Sequence, residues 1–90
     1  MYFLYILKCA DKTLYTGICV DLKRRLNEHN TSNKGAKYTR SRRPVKLIYS
    51  KKYRNRSIAS KAEARIKKLS RVEKLKLISK NSSKYAKIKT

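Results

Sequence analysis

Between residues 14 and 30 the chain changes character across a single aspartate. Leu14-Tyr15-Thr16-Gly17-Ile18-Cys19-Val20 is aromatic and β-branched around one glycine, and Asp21 is followed by Leu22-Lys23-Arg24-Arg25-Leu26-Asn27-Glu28-His29-Asn30. The first half has the composition of a strand that something must approach closely. Asp21 is a good N-cap, and Leu22 and Leu26 stand at helical spacing, so a helix begins there. At about 100° per residue, Arg25, His29, Leu22 and Leu26 share an arc of about 100°. An arginine and the only histidine of the chain therefore sit on the edge of the buried face, looking back at the strand. A solvated basic helix has no need of that placement.

The flanking segments complete a small fold. Residues 2–8, Tyr-Phe-Leu-Tyr-Ile-Leu-Lys, form an apolar run too short for a stable helix and read as a buried strand. Ala10-Asp11-Lys12 is a tight turn into a second strand at 13–20, which makes an antiparallel hairpin. The first helix covers 22–30, and the polar, Gly-containing stretch 31–37 is a surface loop. Pro44 ends any helix and admits a third strand at 45–53, where Val45, Leu47 and Tyr49 alternate with Lys46, Ile48 and Ser50. A second helix starts with Ser57 as N-cap and carries an apolar stripe of Ile58, Ala62, Ile66 and Leu69. Ser70-Arg71-Val72-Glu73 is a capping box and opens a third helix through 79, with Val72, Leu75 and Ile78 or Leu77 inward. The basic tail at 80–90 is expected to be flexible. The expectation is one α+β domain over 1–79, a small three-stranded, mostly antiparallel sheet flanked by helices in the order ββαβαα.

Charge narrows the function. The chain carries 26 Lys and Arg against 5 Asp and Glu, a formal net charge of +21. Such self-repulsion disfavours a compact state and makes sense when the usual partner is a polyanion. Nucleic acid is the first candidate, DNA before RNA. No run approaches the ~20 apolar residues of a membrane span, no basic amphipathic helix rich in large apolar residues is present, and the opening segment lacks the features of a signal peptide. A cytoplasmic protein is expected. Cys9 and Cys19 have no metal-site spacing and read as reduced core thiols.

The chemistry-bearing residues resemble the GIY-YIG nuclease domain. Phe3-Leu4-Tyr5 looks like the first half of that signature with its Tyr kept, and Tyr15-Thr16-Gly17 like the second half with Tyr and Gly kept. Arg25 stands at the family's spacing on the first helix, His29 follows one turn later, and Glu63 on the second helix matches the family's metal-binding carboxylate. Stretches similar to Gly35-Ala36-Lys37-Tyr38-Thr39-Arg40 occur in the short, stand-alone bacterial members. The sequence departs from the signature at Phe3, which replaces Gly, and at Thr16, which replaces Ile; an Asn seen in some members has no clear counterpart. The resemblance implies phosphodiester hydrolysis with Tyr5 or Tyr15 near the attacking water, and Mg²⁺ or Mn²⁺ held by Glu63 on the leaving side.

Residue chemistry gives the same cast. Arg25 can fork two hydrogen bonds onto a phosphate and keeps its charge, while a single carboxylate suffices for Mg²⁺ completed by waters and phosphate oxygens. A free Tyr has pKa ≈ 10, so cationic or metal neighbours must lower it if it is the base. Several residues keep two roles. Tyr5 and Tyr15 could be core aromatics; Glu63 could pair with Lys67 at i,i+4; His29 could be a buried histidine bonded to backbone. Tyr38 could stack on a base or pin its own loop, and Gly17 could be a strand kink or a gap for substrate. Lys37, Arg40, Arg42, Arg43, Lys51 and Lys52, with Arg54 and Arg56, read as a phosphate-tracking surface whose affinity is salt-dependent and weakly sequence-dependent. Two functions follow from this cast: a metal-dependent DNA endonuclease directed by structure or by a protein partner, or a non-catalytic DNA- or RNA-binding protein that retains the fold. The first requires two strand phenols, one guanidinium and one acid to converge on one phosphate. A Glu63 carboxylate on the sheet face opposite Arg25 would end the nuclease case.

Overall fold

The computed structural model describes residues 1–31 and 34–79. The expected flexible tail lies outside them. Three strands form one antiparallel sheet: β1 (Tyr2–Lys8), β2 (Leu14–Cys19) and β3 (Lys46–Tyr53), in the order β2-β1-β3. The most apolar segment takes the centre, because only the middle strand has both faces covered. Leu4, Tyr5, Ile6 and Leu7 are buried in succession. The β1–β2 turn is closed by backbone bonds from Cys9 to Thr13 and from Lys12 to Cys9, with Lys12 at φ 70°. The Asp11 carboxylate accepts from both the amide and the hydroxyl of Thr13.

Helices cover both faces. α1 (Leu22–Thr31) follows β2 directly, and Asp21 caps it by accepting the Arg24 amide at 3.0 Å. A single helical turn, α2 (Lys37–Arg40), lies between α1 and β3, beginning at the last residue of the expected 31–37 loop. After β3 come α3 (Arg56–Lys67) and α4 (Arg71–Ser79), so the order is ββαβαα with one extra turn. None of the described helices is long and apolar enough to cross a membrane.

Alternation on β1 sorts the core into two clusters. Leu4 and Ile6 pack with Tyr49, Ala62 and Ile66 under α3, whereas Tyr5 and Leu7 pack with Cys9 and Val45, flanked by Leu22 and Leu26 of α1. α1 and α3 therefore lie on opposite faces of the sheet. β3 does not keep the simple alternation expected from its sequence. Ile6 pairs with Tyr49 but Leu7 pairs with Leu47, so Ile48 is bulged out of register. The extra residue switches faces within the strand, leaving Leu47 under α1 while both Ile48 and Tyr49 serve the α3 side.

Three helical details correct the sequence reading. The N-cap of α3 is Asn55, not Ser57; its side chain accepts the Ile58 amide at 3.0 Å from an extended backbone. With the start moved, the inward stripe becomes Ala59, Ala62 and Ile66, and Ile58 turns out to solvent at 43% exposure. Two alanines on that stripe let the helix sit close to the sheet. On α4 the capping box is present, Ser70 and Glu73 exchanging bonds of 3.0 and 3.2 Å. Val72 and Leu75 nevertheless face outward, and only Leu77 and Ile78 reach the core.

Candidate active site

The α1 side of the sheet holds a buried polar cluster. Tyr5 on β1 pairs in register with Gly17 on β2, and its phenol lies across that glycine. A Cβ at Gly17 would fall 2.5 Å from the Tyr5 hydroxyl oxygen. The gap at Gly17 is thus filled by the chain's own phenol, which gives the glycine its steric reason. The Tyr5 hydroxyl sits 2.9 Å from His29 Nε2, and His29 Nδ1 sits 2.8 Å from Thr39 Oγ1 on α2. His29 and Thr39 are completely buried and Tyr5 is 2% exposed.

Every element around His29 contributes to holding it. Asp21 sets the phase of α1, which turns Arg25 and His29 toward β1 and β2 as the helical arc predicts. Gly35 lets the following loop approach the end of α1, since a Cβ there would meet the Glu28 carbonyl and the His29 Cα at 2.8 Å. Arg43 donates to the His29 carbonyl at 2.6 Å, satisfying an orphan carbonyl at the helix end. Asn30 exchanges two hydrogen bonds with the backbone of Val45. Tyr15 presents its ring to the edge of His29 at 5.3 Å and stacks on Tyr38 at 5.9 Å. Arg42 covers the Tyr38 ring at 4.0 Å and is anchored by Asp11 at 2.9 Å.

Burial and neighbouring charge decide the protonation states. Burial pushes the Tyr5 phenol up to about 12, opposed by the Arg25 guanidinium beside it. Burial also pulls His29 down to about 4, helped by Arg25 and Arg43 and opposed by Glu28. Near neutrality Tyr5 keeps its proton and His29 is an uncharged imidazole. Burial draws the Arg25 pKa down, but the Tyr5 phenol and Glu28 outweigh it and raise the value, so the guanidinium remains a cation. Its Nη1 also donates to Glu28 and to the Lys34 carbonyl, at 3.0 and 2.8 Å.

The structure therefore brings Tyr5, Tyr15, Gly17, Arg25 and His29 together, with Tyr38 as an outer layer. Glu63 is not in that cluster. It lies on α3, across the sheet from α1, with its carboxylate 3.5 Å from Lys67 and its side chain 24% exposed. One flank of α3, carrying Ala62, Arg65 and Ile66, lines a cavity together with Leu69 just beyond the helix and Tyr49, Lys51 and Tyr53 of β3. At 100° per residue Glu63 falls on the opposite flank, toward the β2 edge. The single-face convergence required at the outset does not occur: the phenols and the guanidinium lie on one face of the sheet and Glu63 on the other, so no one pocket holds all four groups.

Among the described residues no three His, Cys, Asp or Glu gather as a metal site. One carboxylate still suits Mg²⁺ or Mn²⁺, which complete their shells with water and phosphate oxygens. The donor set fits an ion that arrives with a phosphate. Lys37 and Arg40 are exposed on α2. Arg42 and Arg43 are turned to internal acceptors. Lys51 and Lys52 stand on β3, at the edge of the sheet away from Gly17. Thr39, Asn30 and Gly35 were not singled out from sequence as parts of this site. A four-residue helix leaves no periodic pattern by which Thr39 could be recognised as inward.

Comparison with known proteins agrees with this architecture. The model of the GIY-YIG catalytic domain matches residues 1–76. A UPF0213 protein of Syntrophus aciditrophicus is 56% identical over 79 residues, covering 88% of this chain and 91% of the relative. One from Desulfotalea psychrophila is 57% identical over 77 residues, covering 86% and 70%. The solution structure of a UPF0213 protein from Bacillus halodurans superimposes with a TM-score of 0.61 at 40% identity, covering 94% of this chain and 90% of that one. A second solution structure, from E. faecalis, gives 0.58 at 43% identity, covering 87% and 83%.

Proposed function

The chain belongs to the GIY-YIG family, a nuclease superfamily, and from that premise we propose that it is a metal-dependent endonuclease hydrolysing phosphodiester bonds in DNA. Its choice of site is directed by nucleic-acid structure or by a partner protein rather than by base sequence. The observation that supports this most is the buried group of Tyr5, His29 and Arg25 packed against a glycine. A phenol, a neutral imidazole and a permanent cation in one small volume suit proton transfer beside a phosphate better than they suit plain packing.

Each residue has a role that follows from its state. Arg25 offers a planar, charged fork to the non-bridging oxygens, where negative charge grows during attack. Tyr15 is only half-buried and is the phenol on the solvent side, where the attacking water arrives. Tyr5 lies deeper, takes up the water's proton and passes its own to His29 Nε2. Glu63 is the residue that would hold the divalent ion, which when bound supplies charge neutralisation at the departing oxygen. Because Glu63 stands on the face opposite Arg25, this reading requires the scissile phosphate to lie across the β2 edge, in place of the single pocket expected from the sequence. The exposed cations of α2 guide the duplex without reading bases.

The test is cleavage of supercoiled plasmid and of branched DNA with Mg²⁺ or Mn²⁺. Wild type is expected to cut, and Arg25→Ala and Glu63→Ala to cut about 100-fold more slowly or worse, the scale of losing one charge-stabilising group. Equal trace nicking by all three proteins would instead identify a non-catalytic nucleic-acid-binding protein.

A further inference from the structure

We infer that Thr39 is a positioning residue that fixes the tautomer of His29 and, through it, the direction of the Tyr5 hydroxyl. Two oxygens decide the tautomer. Thr39 Oγ1 lies 2.9 Å from the Ala36 carbonyl, and two oxygens at that separation need a proton between them. A carbonyl only accepts, so the proton is that of the Thr39 hydroxyl. With its proton committed, Thr39 Oγ1 can only accept from His29 Nδ1, 2.8 Å away. Nδ1 therefore carries the imidazole proton and Nε2 is bare. The bare Nε2 accepts from Tyr5, 2.9 Å away, leaving the lone pairs of the buried phenol oxygen to the Arg25 guanidinium beside it. The three bonds run one way, from Tyr5 through His29 and Thr39 to the backbone.

One contact competes. The Ala36 amide also points at Nδ1, at 3.4 Å, and a backbone N–H can only donate. It would favour the other tautomer, but a 3.4 Å contact is weak beside bonds of 2.8 and 2.9 Å. The groups facing the ring are Tyr5 on β1, Tyr15 on β2, Arg25 and Glu28 on α1, and Arg43. Burial, Arg25 and Arg43 keep the ring neutral against the opposing Glu28 carboxylate, so it exists as one tautomer or the other and Thr39 makes the choice.

The consequence for catalysis rests on the nuclease reading. As water attacks phosphorus, its O–H bond breaks and the proton goes to the Tyr5 oxygen. The Tyr5 O–H proton shifts to Nε2, giving a short-lived imidazolium, since burial, Arg25 and Arg43 disfavour the charged ring, and its Nδ1–H is already held by Thr39. No proton is created or lost, and Tyr5 need never persist as a phenolate. In the opposite tautomer Nε2 carries a proton and the transfer is blocked.

The chain has one histidine, so its ring nitrogens can be followed in ¹⁵N-labelled protein by long-range ¹H–¹⁵N correlation NMR near pH 7. Wild type is expected to show Nδ1 protonated and Nε2 bare, and Thr39→Ser to keep that pattern. Thr39→Val removes the acceptor, hands Nδ1 to the Ala36 amide, and is expected to invert the tautomer with the fold intact by amide dispersion. Where DNA cleavage is measurable, Thr39→Val is expected to lose about tenfold in turnover, the scale of one orienting hydrogen bond, with DNA affinity unchanged and Thr39→Ser restoring the rate. A bare Nδ1 in wild type overturns the inference whether or not the valine variant folds. So does an unchanged pattern in Thr39→Val. A correct tautomer in a protein that cuts nothing would sink the nuclease reading alone.

Discussion

The two faces of this sheet are built from the same central strand and are chemically unlike. Under α3, β1 presents Leu4 and Ile6 to Ala62, Ile66 and Tyr49, and the contact is apolar. Under α1, one residue further along, it presents Tyr5 to His29 and Thr39, and the interior is a chain of hydrogen bonds. The first face supplies stability without direction, since apolar burial depends on area rather than on bond geometry. The second supplies direction at a cost, because each buried polar atom must find a partner. The residues a nuclease would need lie on the second face, and the first is the support that lets it be polar. Of the candidate site residues, Glu63 and Lys51 belong to the supporting side.

The contrast can be tested from either face. The largest effect is expected from Ile6→Ala, which opens a cavity under α3. It should cost about 2–5 kcal/mol in chemical denaturation, followed by tyrosine fluorescence since the chain has no Trp. The His29 tautomer pattern of the folded fraction should not change; if it does, the faces are not separable. A pH series probes the other face. His29 falls from 6.5 in the unfolded chain to about 4 when folded, so between those values the unfolded chain binds the proton and the folded one does not. Stability should be full above pH 6.5, fall by up to about 3 kcal/mol as pH drops to 4, and change no further from this group below that. His29→Gln should flatten that slope, and Ile6→Ala should leave it intact. The smallest effect concerns Thr16, whose buried hydroxyl finds no partner among the described residues. Thr16→Val should raise stability by about 1 kcal/mol. A loss of stability instead would mean that the hydroxyl is satisfied, and that the α3 side is less purely apolar than described.

Much of this was legible in the sequence, for reasons that also explain what was not. β1, the hairpin, α1 with its Asp21 cap and the Ser70–Glu73 box are announced by local signals of fixed spacing. The inward arc of Arg25 and His29 follows from α1 alone. The assignment of α1 and α3 to opposite faces does not, because β1 is apolar on both sides and its alternation marks neither. The bulge at Ile48 leaves no composition signal, and it defeats the simple Leu47–Tyr49 alternation. Asn55 and Ser57 are both good caps two residues apart, and choosing the wrong one rotates the stripe of α3 from Ala59 to Ile58. For Arg42 and Arg43 the sequence offered only charge. Their bonds to Asp11 and to the end of α1 depend on which loop meets which helix.

Four residues cannot hold a helix on their own, since nucleation costs more than one turn of hydrogen bonds returns. α2 exists because Thr39 is held by His29, Tyr38 by the Tyr15 ring, and Arg42 by Asp11. The roof over the imidazole and the imidazole's own orientation are therefore one equilibrium. Whatever loosens that turn also unsets the ring beneath it, while the aliphatic floor on the far side of the sheet stays in place.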